Sequence, residues 1–408
     1  MKMLILVATG CMAAISSAGV GGMKFLPRWQ HTAAPVAIGE KPFVTPADVI
    51  PDHAAFTVSA TIRLGPWVDR TWIDLFSQRT AQTGWALSGR RAPGIGSDLI
   101  LEVNGIPYKL TSFVSKDTDV HEWTVTARRG AVVVYKDGEV CGRVFATIVP
   151  NLEPIRVGGS GGGKFAPIAG SELVSMRVWD GAEMYLAPGE SPDFAGGKVG
   201  GRGWMITLPD NAREKRLPGL LCLGDSIMHG YSPLLEKSLG GDSRLYLWSK
   251  FFYGLNAETN AVREAVSACL PLEMIVFNNG LHSLHKTWQD ASDDQIREVY
   301  RQIVRTLREA APQAKLVYLS TTPHTARKNA QGVVEGFGDL NYMVQRLNRL
   351  AASVMEEEGV PQVDAYGLLE HQLSLAAGDC FHWKAEAYRQ IADSIVQGFR
   401  KSVVSGRK

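Results

Sequence analysis

Two kinds of hydrophobic spacing divide the chain. Between Phe43 and Met184, stretches such as "AAFTVSATIRL", "WIDLFSQ", "DLILEVNG", "EWTVTARRGAVVVYKDGEV" and "SELVSMRVWDG" alternate apolar with polar residues or concentrate β-branched and aromatic ones. Alternation at a period of two predicts strands with one face buried. Asn-Gly and Asp-Gly pairs punctuate them, and "VVVYKDGEVCG" predicts a hairpin because Asp-Gly accepts the positive φ of a tight turn. No stretch there has helical spacing, so the region predicts an antiparallel all-β sandwich or jelly roll. From Gly219 the pattern changes. Short apolar runs, "GLLCLGDS", "MIVFNNG" and "AKLVYLSTTP", alternate with longer segments. "DQIREVYRQIVRTLREAA" places Ile296, Val299, Tyr300, Ile303, Val304 and Leu307 on one helical face. Buried strands alternating with helices predict a parallel sheet covered on both faces. Chemistry in such sheets gathers at the carboxyl ends of the strands.

The stretch between these regions, 186–218, is rich in Gly and Pro and reads as a linker, although Trp204, Met205 and Ile206 are apolar enough to dock. The opening residues follow a third grammar. Lys2 precedes an apolar run from Met3 to Ile15, then small residues ending in "SSA" at Ala18. The run is too short for an ordinary transmembrane helix and predicts a secretory signal over 1–22. A lipoprotein signal with Cys11 as the lipidated residue is the alternative. The organisation expected is therefore a signal at 1–22, a β-sandwich at 23–185, a linker at 186–218 and an α/β domain at 219–408. The product would be secreted or periplasmic, soluble or tethered, without a transmembrane span.

Composition narrows the partners. Among 408 residues, 45% are hydrophobic and 21% charged, and the net charge of +2 creates no field that selects nucleic acid. Beyond Cys11 the cysteines are Cys141, Cys222, Cys269 and Cys380, too few for a disulfide scaffold, and no CxxC pair suggests structural zinc. Cys222 and Cys380 flank the chemistry discussed next, either close together or as separate buried thiols.

The tripeptide Gly-Asp-Ser occurs twice, ending at Ser226 and at Ser243. Ser226 leaves a strand and enters a helix, which projects its hydroxyl at the sheet's carboxyl edge. Ser243 leaves a helix and enters a strand, at the wrong end of the sheet, where an Asp/Ser turn accounts for it. A serine needs a base, and the base needs an orienting acid. "DCFHW" supplies Asp379 and His382 three residues apart, just before the last helical segment.

"LGDSIMHGY" followed late in the chain by "DCFHW" resembles the SGNH (GDSL) hydrolases over about residues 219–405, with "YLSTTP" and "VPQVDAYGLL" in the places of the penultimate strands. The resemblance implies a flavodoxin-like three-layer α/β sandwich and no metal or other cofactor. It implies Ser226 as nucleophile, His382 as base and Asp379 as its partner. It also implies an oxyanion hole built from the Ser226 N–H, a glycine N–H, for which Gly254 is the candidate, and an asparagine amide. "NNGLHS" departs from that family's GxND block. Aligning glycines puts His282 in the asparagine's place, chemistry favours Asn279, and Asn278 belongs to the same loop. His282 and His285 also read as a capping pair or as metal ligands.

The strand phrases of 43–184 resemble the laminin-G-like, concanavalin-type jelly roll, a fold that often binds glycans. Trp67, Trp72, Trp85 and Tyr108 are candidate sugar-stacking rings, or core and rim aromatics. Together these expectations describe an exported serine esterase, foremost a carbohydrate O-acetylesterase acting on an acetylated polysaccharide or glycoside. A lipase or general carboxylesterase is the alternative within enzymes. A glycan-binding protein with an inactive hydrolase domain is the alternative outside them. Oligomeric state and the sugar itself are not legible.

Overall fold

The computed structural model describes residues 27–406 except 40, 51–52, 67–71, 93–95, 113–117, 129, 160–168, 182–196, 202–203, 213, 251 and 253. The expected signal, Cys11, Trp67 and the side chain of Trp72 lie outside the described residues.

The region up to Asp180 is built of strands, as its alternation predicts. One sheet has six strands in the order Phe43–Val44, Arg156–Val157, Trp72–Arg79, Gly84–Ala92, Gly96–Val103 and Ile106–Ser112. The facing strands, among them Ala55–Arg63, Val120–Arg128, Ala131–Lys136 and Glu172–Asp180, belong to a second sheet. Phe56, Val58, Ala60 and Ile62 alternate along Ala55–Arg63 and join Trp123, Val125, Leu173 and Met176 of that sheet in one core. Ile73, Leu75, Phe76, Trp85, Leu87 and Leu101 of the first sheet enter the same core. Trp85 and Tyr108 are buried there at 0% and 1% exposure, so neither presents a ring face to a sugar. Their aromatic area goes into the core instead.

The second sheet does not stop at the end of the strand-rich region. Glu139–Phe145 pairs in parallel with Gly197–Gly201, which turns back as Trp204–Leu208. Trp204–Leu208 pairs with Arg244–Ser249, and the sheet continues into parallel strands. The Gly- and Pro-rich stretch of the sequence thus contains a hairpin that joins both halves. The parallel part runs Arg244–Ser249, Gly219–Gly224, Met274–Phe277, Lys315–Leu319, Gln362–Val363, an order of 2-1-3-4-5. Helices Ser226–Leu239, Thr259–Ser267, Asp293–Ala310, Asn341–Glu357 and Ala385–Gly406 accompany these strands. Gly219–Gly224 is buried along its whole length, the signature of a central parallel strand covered on both faces. The order reverses between Gly219–Gly224 and Met274–Phe277, the place at the carboxyl edge where the following loops of such a sheet part to opposite faces. The next residues of those strands are Asp225-Ser226 and Asn278-Asn279-Gly280.

Among the described residues no helix is long and apolar enough to cross a membrane.

Candidate active site

Ser226 is the first residue of helix Ser226–Leu239 and is exposed. Its Oγ lies 2.8 Å from His382 Nε2, and His382 Nδ1 lies 2.6 Å from Asp379 Oδ2. With the proton on Nδ1, the imidazole donates to the carboxylate and accepts the serine hydroxyl. The other Asp379 oxygen accepts the backbone N–H groups of Phe381, at 3.0 Å, and His382, at 2.8 Å. Burial pushes the Asp379 carboxyl upward, but these N–H donors and the imidazole outweigh it and hold the group at about 2. Asp379 is therefore a carboxylate throughout the working range of a histidine.

A small hairpin sets this geometry. Ala376 bridges Trp383, Ala377 N–H donates to the His382 carbonyl at 2.8 Å, and Asp379 bridges Arg327. Cys380 sits at φ +80°, a region that penalises residues with a Cβ, and its carbonyl accepts from Thr325 N–H. The turn places the Asp379 side chain beneath the imidazole of His382. Helix Ala385–Gly406 then packs on helix Ser226–Leu239, with Gly230 against the Tyr388 ring. A Cβ on Gly230 would lie 2.2 Å from the Tyr388 ring. Tyr388 OH in turn accepts the Trp383 N–H at 3.3 Å. The register between the serine and the histidine loop therefore runs through one glycine and one tyrosine.

Asp225 fixes the third loop. Its side chain caps the helix by accepting Ile227 N–H at 2.9 Å, and its second oxygen accepts Leu281 N–H at 3.0 Å. Gly280 has φ +61°, and a Cβ there would fall 1.9 Å from Asp225 Oδ2, so only glycine fits this corner. Asn279 is 2% exposed, and its Oδ1 accepts Phe252 N–H at 2.7 Å. Its Nδ2 has no acceptor among the described residues. Asn278 is spoken for, since its amide donates to the Leu319 carbonyl at 2.6 Å.

Residues 222–390 match the family described as GDSL-like Lipase/Acylhydrolase. These residues form a GDSL-type hydrolase domain. No curated protein matches the chain significantly. Solved structures similar to it include an M. smegmatis aryl esterase, 16% identical, covering 45% of this chain and 99% of its own, with a TM-score of 0.37. A carbohydrate acetylesterase from Sinorhizobium meliloti is 15% identical over 44% of this chain and 99% of its own, with a TM-score of 0.36. Likeness at this level transfers neither activity nor substrate.

Within the GDSL domain, Ser226, His382 and Asp379 are joined by hydrogen bonds although 156 residues separate the first two. Gly254 is exposed in the loop after Arg244–Ser249, two residues beyond the Phe252 N–H that anchors Asn279. His282 is half-buried in the 3-10 turn Leu281–Leu284. His285 caps the helical turn after it, accepting from Thr287 N–H. Ser243, of the second Gly-Asp-Ser, is buried at the start of Arg244–Ser249, at the opposite end of the sheet from Ser226. Cys222 is fully buried, and burial pushes its thiol up to about 12, so it stays a protonated, unreactive thiol. Cys141, Cys222, Cys269 and Cys380 are all unpaired. Among the described residues no three His, Cys, Asp or Glu side chains are grouped as metal ligands.

Sequence reasoning passes over three features of the GDSL domain. Gly230 lies inside "MHGY", where a mid-helix glycine, costly in itself, signals close packing. The second bond of Asp225 depends on a fold contact. The third is His229, one helical turn beyond Ser226, whose Nε2 is 2.5 Å from Ser249 Oγ. Its spacing of three from the serine was the available signal.

Proposed function

We propose that this protein is a serine esterase that removes acetyl groups from a carbohydrate. The observation that carries the reading is the continuous hydrogen-bonded series Ser226, His382, Asp379 at an exposed sheet edge. Ser226 Oγ attacks the ester carbonyl carbon while His382 Nε2 takes the hydroxyl proton. Asp379 holds the tautomer and offsets the positive charge of the imidazolium. The carbonyl oxygen, now anionic, is received by the Ser226 N–H at the positive end of its helix, the Gly254 N–H and the Asn279 amide. Asn279 is preferred to His282 because its Oδ1 is pinned while its Nδ2 is left without an acceptor. His382 then protonates the leaving alcohol oxygen, the acyl–Ser226 ester remains, and water activated by the same imidazole releases acetate and restores the serine.

An exposed nucleophile suits a small acyl group carried on a large alcohol. The strand-rich region, read as a laminin-G-like jelly roll, and the signal expected at 1–22 fit an exported enzyme with a polysaccharide substrate. The test is acetate release from acetylated xylan and acetylated pectin, with 4-nitrophenyl acetate as a general ester. Wild type should turn over at least one of them, and Ser226→Ala should lose on the order of 10⁴-fold or more of that activity. Turnover that survives Ser226→Ala would remove the proposal.

A further inference from the structure

The strand register leads away from Ser226 to Lys198 of the joining hairpin and, beside it, Lys109 of the strand-rich region. Cys222 pairs with Leu247, Leu247 with Thr207, and Thr207 with Lys198. Directly paired residues share a sheet face. Gly224 and Ser249, paired two residues further along, lie on the same face. Helix Ser226–Leu239 covers it, because His229 reaches Ser249 and Tyr231 reaches Cys222. Lys198 therefore projects toward the side that carries Ser226 and His229, two strand spacings or about 10 Å from Leu247.

Lys198 is half-buried, and its ammonium donates to the Lys109 carbonyl. No carboxylate pairs with Lys198 among the described residues. Lys109, on Ile106–Ser112, is exposed, as are His229 and Ser249. Partial desolvation of the ring first, then the charges of Lys198 and Lys109, push the His229 imidazole below its ordinary value against the opposing pull of Asp225. The imidazole beside Ser249 is thus biased toward its neutral form, a hydrogen-bonding group at the edge of a positive surface. A partly buried cation without a counter-charge is costly unless a ligand supplies one.

We propose that Lys198 and Lys109, flanked by His229 and Ser249, bind a carboxylate of the substrate, so that the preferred ester is on an acidic, uronate-type sugar. The proposal rests on the esterase reading and adds the charge class of its substrate. The carboxylate would lie over the sheet beside helix Ser226–Leu239, placing the acylated hydroxyl at Ser226.

Acetylated methyl glucuronoside and acetylated methyl glucoside differ at one carbon, a carboxylate against a hydroxymethyl group, and serve as the probes. Acetate release should favour the acidic sugar by roughly ten-fold or more in kcat/KM, the factor a charge-assisted hydrogen bond provides. The preference should shrink toward one in Lys198→Met and in Lys109→Met, persist in Lys198→Arg, and weaken as salt is raised. Equal kcat/KM for the two sugars, or a preference untouched by both methionine variants, overturns the proposal. If Lys198→Met does not fold, Lys109→Met and Lys198→Arg decide by the same ratio. Binding of both sugars to Ser226→Ala, followed by calorimetry, separates this from failure of the esterase reading. Tighter binding of the acidic sugar without any wild-type turnover sinks only the esterase. Equal binding sinks the carboxylate site.

Discussion

Asp379 collects the imidazole of His382 and two backbone N–H groups on one carboxylate, and its two functions separate experimentally. In Asp379→Asn the amide can present its N–H to Nδ1 and favour the wrong tautomer, so kcat should fall by about three to four powers of ten. Because the carboxyl is held at about 2, it stays ionised above about pH 4, and Asp379 should contribute no limb of its own to a wild-type rate profile measured there. Stability follows a different window. The folded-state value lies below the ordinary 3.8, so Asp379 stabilises the fold above about pH 4, and that contribution fades as pH falls from there through about 2. Urea midpoints at pH 5, 3 and 2 should converge for wild type and Asp379→Asn; parallel curves would refute the assignment. Ser226, His382 and Asp379 were all legible in the sequence, because each sits in a local motif whose chemistry is carried by neighbouring residues. Lys198 was not, since only the pairing of four strands brings it to the side of helix Ser226–Leu239 that carries His229.

Between elements, helix Ser226–Leu239 and helix Ala385–Gly406 are held in register by contact of Gly230 with Tyr388. Gly230→Ala should therefore push the helices apart, lowering both the melting temperature and kcat/KM. Adding Tyr388→Leu should recover part of the loss by opening space for the new methyl group. Additive losses in the double variant would show that the two positions are not coupled. The helices themselves were readable from their apolar spacing, and the strands from alternation or buried runs. Their mutual distance was not, because a close approach is written as the absence of a side chain. The aromatic residues of the strand-rich region show the converse limit. Trp85 and Tyr108 read in sequence more readily as core or rim than as sugar platforms, and the second sheet packed over them decides for the core.

At the scale of the molecule, the hairpin of Gly197–Gly201 and Trp204–Leu208 makes one sheet of strands from both halves. Trp204 adds a bond from its indole N–H to Glu264 at 2.8 Å. A truncated chain beginning at residue 219 would leave Arg244–Ser249 as an open edge with Trp248 and Leu247 beside it. Unpaired edges of this kind associate. Such a chain should elute from a sizing column as oligomers or aggregates, whereas one beginning at residue 197, with the hairpin retained, should be less prone to do so. Monomeric behaviour of the shorter chain would show that the hairpin is dispensable for solubility. Composition marked this stretch as a linker because glycines are plentiful there; in a sheet they also allow strands to approach closely, as at Gly200 against Trp204 and Tyr108.

The distance along the chain between Ser226 and His382 also sets an order in time. Synthesis at roughly 5–20 residues per second makes the histidine on the order of ten seconds or more after the serine. Until Ala385–Gly406 has left the ribosome and seated Tyr388 on Gly230, the serine hydroxyl lacks the base proposed for it, and on that proposal the nascent chain carries an unarmed nucleophile.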